Sequence, residues 1–204
     1  MQNSDPGKVN PMTLMLQKAF DGLLRPLMVC MPGRVVAFDS TKQRAQVLCA
    51  INRRMPDGEY AAIPVITDVP VQFPGDSQWY FWHQITPGST EGLLHFSQRA
   101  IDTWINQGGE TDPVDFRMFS AEDAFFAPGY RSDPNVIPSF VNEGCGMSSM
   151  DGSTRLHITD GHIEIKASSV NVQASSFTHN GSNTGIGHFH GGVETGNGNT
   201  AGME

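Results

Sequence analysis

The chain has 204 residues, with 13 basic against 21 acidic side chains and a formal net charge of −8. That balance disfavours phosphate-rich partners, and a hydrophobic share of 38% is low for a globular enzyme of this size, so one or two domains of extended, glycine-rich architecture are indicated. Three cysteines, Cys30, Cys49 and Cys145, are an odd number with no C-x-x-C pair; they indicate neither a disulfide framework nor a zinc knuckle and read as buried free thiols.

The first residues, Met1 to Lys8, lack the basic start and apolar run of a secretory signal, and no stretch approaches the roughly 20 apolar residues of a membrane span. The expectation is a protein made and kept in the cytoplasm until assembly. Residues 10 to 24 read as an amphipathic helix: Asn10 is placed to cap, Pro11 suits the first helical position, and Met12, Met15, Leu16, Ala19, Phe20 and Leu23 share a face that Pro26 closes. Such a stripe is packing surface or a docking element for a neighbouring protein.

From Pro32 to Ile105 the pattern turns to β. Residues 33 to 38 and 43 to 51 are strands joined by a turn at Asp39 to Lys42, and further strands are expected at 63 to 66, 69 to 73 and 92 to 96. A short helix over Ala100 to Ile105 stops at Gly108. Five short strands with one small helix suit a Greek-key barrel of the oligonucleotide/oligosaccharide-binding (OB) type. The aromatic run Trp79, Tyr80, Phe81 and Trp82, in the loop 75 to 89, is assigned to the barrel core, with contact to a neighbour as the alternative. Residues 128 to 150 carry Pro128, Pro134 and Pro138 with little periodicity and read as a connector, its end near Gly144-Cys145-Gly146.

Beyond it, apolar couplets recur every seven residues: Leu156/Ile158, Ile163/Ile165 and Val170/Val172, with Phe177 starting a fourth. Each couplet puts both side chains on one face of a strand, with His157, Glu164 and Asn171 on the other. Seven is odd, so the chain must bend between couplets, at Asp160-Gly161, Ala167 to Ser169 and Ala174 to Ser176. A stacked β-solenoid follows. Strands this short bury too little to stand alone, and a homotrimer sharing one core around a threefold axis, or a hairpin packed on the preceding domain, would cover them.

The segment Gly187-His188-Phe189-His190-Gly191-Gly192 then projects two imidazoles to one side if extended. Two histidines per chain are too few for a closed metal site, whereas three chains would supply six, enough for octahedral coordination. Taken alone, the pair reads rather as part of a glycine-rich tail that coordinates nothing.

These strands, the GHFHGG element and the closing Val193-Glu194-Thr195-Gly196 together resemble the tip of the central spikes of contractile-tailed bacteriophages, the baseplate assembly protein V family that includes the spikes of Mu-like phages. Asp68-Val69-Pro70-Val71, Gly92 to Ser97, Arg99 to Trp104 and Asp123 to Gly129 are similar to the N-terminal OB domain of such spikes. The resemblance implies a trimeric needle whose tip holds one iron ion per trimer, through His188 and His190 of each chain, six histidine ligands in all. It also implies a baseplate hub protein as partner, transient contact with the host outer membrane, and a place in the virion at the tail baseplate tip.

Catalysis finds little support: no G-x-S-x-G elbow, P-loop, Rossmann glycine pattern or H-E-x-x-H helix occurs, and Glu194 as the base of a metal hydrolase would face a metal with no open position. Between residues 30 and 105 six basic side chains face seven acidic ones, so a nucleic-acid groove is not apparent either. A tail fibre or adhesin would call for a receptor-binding head after the histidines, where 14 residues follow. The expected protein is all-β and not an enzyme: a helical segment at 1–29, an OB-type barrel at 30–127, a connector at 128–150, a trimeric intertwined β-helix needle at 151–182 and a metal-bound tip at 183–204. Its expected function is to pierce the host outer membrane when the tail sheath contracts.

Overall fold

The computed structural model describes residues 10–55 and 57–185, and the chain divides into two compact units, Met1–Val136 and Ile137–Glu204. The first unit opens with helix α1 (Pro11–Leu24), whose Asn10 side chain accepts from the Met12 N–H at 2.9 Å while Pro11 enters without a donor to satisfy. Strands β1 (Cys30–Asp39) and β2 (Arg44–Cys49) follow as an antiparallel pair. Their turn forms because the Asp39 carboxylate accepts the N–H groups of Thr41 and Lys42, with Gln43 left-handed at φ 56°. A small hairpin of β3 (Arg53–Arg54) and β4 (Tyr60–Ala61) precedes β5 (Ile66–Pro70), β6 (Glu91–Phe96), helix α2 (Asp102–Gln107) and β7 (Ala124–Pro128).

The main sheet runs β5-β2-β1-β6-β7, every neighbouring pair antiparallel. β1 is long enough to serve two partners, β6 along its first half and β2 along its second, with an irregularity between Val35 and Ala37 where the strand bends. The sheet curls until its edges meet: Val71 pairs in parallel with Phe126, and the Gln72 N–H donates to the Phe126 carbonyl at 2.9 Å. The result is barrel-like. Gly33 and Gly92 stand where neighbouring strands approach closely; a Cβ on Gly92 would run into the Ala127 carbonyl, and one on Gly33 would press on Val47.

Alternation along these strands sends one face inward, and Val35, Val47, Val69, Leu94 and Phe126 are buried together with Met28, Ile63, Ile66 and Ile85. At roughly 1.5 to 3 kcal/mol for each large apolar side chain, this cluster is the main stabilisation of the unit. Several expectations change here. The two strands expected at 63–66 and 69–73 are one strand, β5, which Asp68 kinks at φ 58°. β7 is an additional strand, whereas the helix follows β6 as expected and lies between it and β7. The aromatic run is not core: Trp79, Tyr80, Phe81 and Trp82 are all exposed, Trp79 by 79%. Of the three free thiols only Cys49 is buried, and Cys30 and Cys145 are exposed.

The second unit begins with β8 (Cys145–Ser148), inside the stretch expected to be a connector, and continues with β9 (Arg155–Thr159) and β10 (His162–Lys166). They make an antiparallel sheet in the order β10-β9-β8. Asp160-Gly161 is the corner between β9 and β10, with Gly161 at φ 71°, so the first two couplets fold back as a hairpin in place of stacked solenoid rungs. Residues 167–177 form no strand, and a second hairpin, β11 (Thr178–His179) with β12 (Ser182–Asn183), turns on Asn180 and Gly181, both at positive φ as a type I′ turn requires.

Candidate functional site

The expected metal ligands His188 and His190 lie outside the described residues. Among the described residues, no group of three or more His, Cys, Asp and Glu side chains could hold a metal ion, and no helix is long and apolar enough to cross a membrane. What the structure presents for recognition is apolar surface.

One part of it is a face of the β8-β9-β10 sheet. Pairing sets Leu156 opposite Ile165 and Ile158 opposite Ile163, and on the other side of β9 sets Met147 opposite Leu156 and Cys145 opposite Ile158. Residues directly opposite in an antiparallel pair share a face, so all six side chains point the same way. Gly146 keeps the strands close, since a Cβ there would strike the Leu156 carbonyl. The reverse face is polar and satisfied within the chain. Glu164 accepts from Arg155 Nε at 2.7 Å and pairs with its Nη2 at 2.6 Å, and the His157 ring donates from Nε2 to the Glu143 carbonyl at 2.7 Å. The apolar face has no such cover. Ile163 is 64% exposed and Ile165 63%, and Val170, Val172 and Phe177 beyond them are exposed too. A three-stranded sheet with one uncovered apolar face is an incomplete structure, because the burial that would offset its ordering is missing.

The first unit carries two further exposed apolar features. None of the side chains of α1 is buried. The aromatic loop is braced into a fixed shape: Asp76 accepts the N–H groups of Gln78 and Trp79 at 2.7 and 2.8 Å, and the Phe81 N–H donates to the Pro74 carbonyl at 2.7 Å. Asp76 is held below the usual carboxylate range by those two backbone donors. A Cβ on Gly75 would collide with the Trp79 carbonyl, so the tight return depends on glycine.

A charged cluster near α2 is structural. Asp123 is fully buried and accepts the Ile101 N–H at 3.0 Å, while Arg117 reaches it through Nε at 3.3 Å and Nη2 at 3.2 Å and also contacts Asp102, Asp115 and Glu122. Hydrogen bonding to Asp123, aided by Asp102, raises the Arg117 pKa and keeps the guanidinium charged. Spacing along the sequence gave no sign of this cluster, which joins the α2 start to the residues before β7. Glu91 makes a smaller clasp: its carboxylate accepts from the Ser132 N–H and hydroxyl and from Asn135 Nδ2, fastening the chain after β7 to the start of β6.

Residues 31–129 match the family model of the phage protein Gp138 N-terminal domain. The matched segment runs from β1 to the end of β7, the whole barrel-like sheet with α2 inside it. Over that segment the chain is similar to a phage protein domain, and the match supports a phage structural component of the baseplate or spike kind. The matched family is Gp138 and not the Mu-like protein V family. No curated protein matches the chain.

Proposed function

We propose that the chain is the central spike of a contractile tail baseplate, a homotrimer of the kind the Mu-like protein V family exemplifies. In this reading the first unit is an OB-type barrel attached to a trimeric hub protein, and the second intertwines with two copies into a β-helical needle. His188 and His190 of three chains would hold one iron ion at the tip, a donor set of six imidazoles that suits octahedral coordination. When bound, the ion would tie together three chain ends. Sheath contraction would drive the needle through the host outer membrane, and the function is mechanical, without catalysis. The observation that carries the reading is the apolar face of Cys145, Met147, Leu156, Ile158, Ile163 and Ile165, uncovered in one chain while its reverse face is satisfied. Three such faces around an axis would bury one another. Nucleic acid is not part of the reading: a groove on the barrel, lined by Val71, Phe73, His95, Trp104 and Phe125, carries no Arg or Lys.

Native mass measurement with metal analysis on the purified protein tests this. A trimer with one iron per three chains is expected, and the double change His188→Ala, His190→Ala should abolish metal binding while leaving the trimer assembled. A stable monomer would end the spike reading, and metal retained in the double variant would move the ligands elsewhere.

A further inference from the structure

Helix α1 is the least explained element of the first unit. Its 14 residues would span about 21 Å. An isolated helix of that length is marginal in water, and its Asn10 cap and Pro11 start add little against the exposure of Met12, Met15, Leu16, Phe20 and Leu23. The order of its residues is specific. Met12, Leu16, Ala19 and Leu23 are spaced four, three and four apart, the d-a-d-a seam of a heptad. Met15 and Phe20 flank the seam at g and e, and the charged Lys18 and Asp21 fall at c and f, the outer positions. Leu14 and Leu24 are the apolar side chains outside the stripe. Apolar residues at e and g as well as a and d make a face wider than a two-helix seam uses, and suit burial among three helices.

We infer that α1 is a self-association element: three copies close into a parallel three-helix coil at the head of the trimer. This rests on the trimer proposed above, whose threefold axis would make the helices parallel. The tether favours other copies of the chain as the occupant of the stripe. Arg25, Pro26 and Leu27 alone separate the helix from Met28, which is buried in the barrel core and donates its N–H to the Phe119 carbonyl at 3.0 Å. Three helices leaving equivalent points of three barrels on such short tethers meet at an effective concentration on the order of millimolar. A lipid surface is the poorer fit, since the polar face carries Lys18 and Asp21, with Arg25 just past the helix end, where interfacial helices are rich in Lys and Arg.

Thiol pairing in the full chain tests the seam. Cys30→Ser and Cys145→Ser remove the exposed thiols, and single cysteines are then introduced as Leu16→Cys, Leu23→Cys or Lys18→Cys under mild oxidation. These positions are exposed in the single chain, so folding of the barrel is not at risk. Covalent pairs should form about tenfold faster at Leu16 and Leu23 than at Lys18, because a disulfide needs Cα atoms within about 7 Å. Equal rates at all three positions, or no pairs, in a protein that native mass shows to be trimeric would overturn the coil and leave the spike reading intact. A chain that is monomeric before any of these changes would remove both.

Discussion

The two units use the same kind of alternating strand and reach different ends. In the first, the inward residues of five strands meet across a closed curl, so that Val35, Leu94 and Phe126 are fully buried within one chain. In the second, β8, β9 and β10 alternate as regularly, yet no described residue from 137 to 185 is buried. The difference lies in the second layer. A sheet that curls onto itself supplies its own opposing face, whereas an open three-stranded sheet must borrow one. Stability of the first unit should therefore be a property of the chain, and that of the second a property of the assembly.

Ile165→Asp is the strongest way to break that contrast. In a trimer it would bring three unpaired carboxylates toward one axis, at roughly 3 to 5 kcal/mol for each uncompensated buried charge with mutual repulsion added. Trimer formation should be lost by native mass measurement, while the melting of the barrel stays unchanged. Wild-type assembly in this variant would mean that the face of Ile163 and Ile165 points to solvent in the functional protein.

Arg117→Met probes the other side of the comparison. It leaves the buried Asp123 carboxylate with the Ile101 N–H and no cation, and removing one partner of a buried pair costs about 3 to 5 kcal/mol. The barrel should lose that stability in denaturant titration at any protein concentration, with assembly through the second unit retained. A loss below about 1 kcal/mol, the range of exposed ion pairs, would show that water reaches Asp123.

How much of this was legible in the sequence follows from the range of each signal. Local signals were read well: the Asn10-Pro11 start of α1, the Asp39 turn between β1 and β2, and Gly108 ending α2 are settled within a few residues. The couplet spacing located β9 and β10 and the Asp160-Gly161 corner correctly, but an odd period cannot distinguish a hairpin from successive rungs, because both bend the chain at the same place. Asn180-Gly181 is a strong hairpin signal that a search for apolar couplets passes over, since β11 and β12 carry Thr178, His179, Ser182 and Asn183. Hydrophobicity misplaced Trp79 to Trp82, because four consecutive aromatics read as core unless the brace from Asp76 is seen. The Arg117 cluster and the closure of Val71 on Phe126 are tertiary facts, and nothing in local spacing encodes them.

The smallest expected effect sharpens the contrast by pH. In the loop between β8 and β9, Asp151 accepts from the Ser149 hydroxyl at 2.6 Å and from the Ser153 N–H and hydroxyl at 3.1 and 2.9 Å. The Ser149 hydroxyl first, and then Ser153, lower its pKa from 3.8 to about 2. Because the folded value is the depressed one, the unfolded chain takes up the proton first as the solution is acidified. The stabilisation is thus fully present above about pH 4 and is lost as pH falls toward 2. Asp151→Asn removes the titration, so the difference in melting between wild type and variant should be largest near neutrality and shrink across that window. The site is exposed, and the shift should be modest and confined to the second unit, with the melting of the barrel identical in the two proteins. A difference that stayed constant from neutrality to pH 2 would mean that these hydrogen bonds do not hold the Asp151 charge in the folded protein.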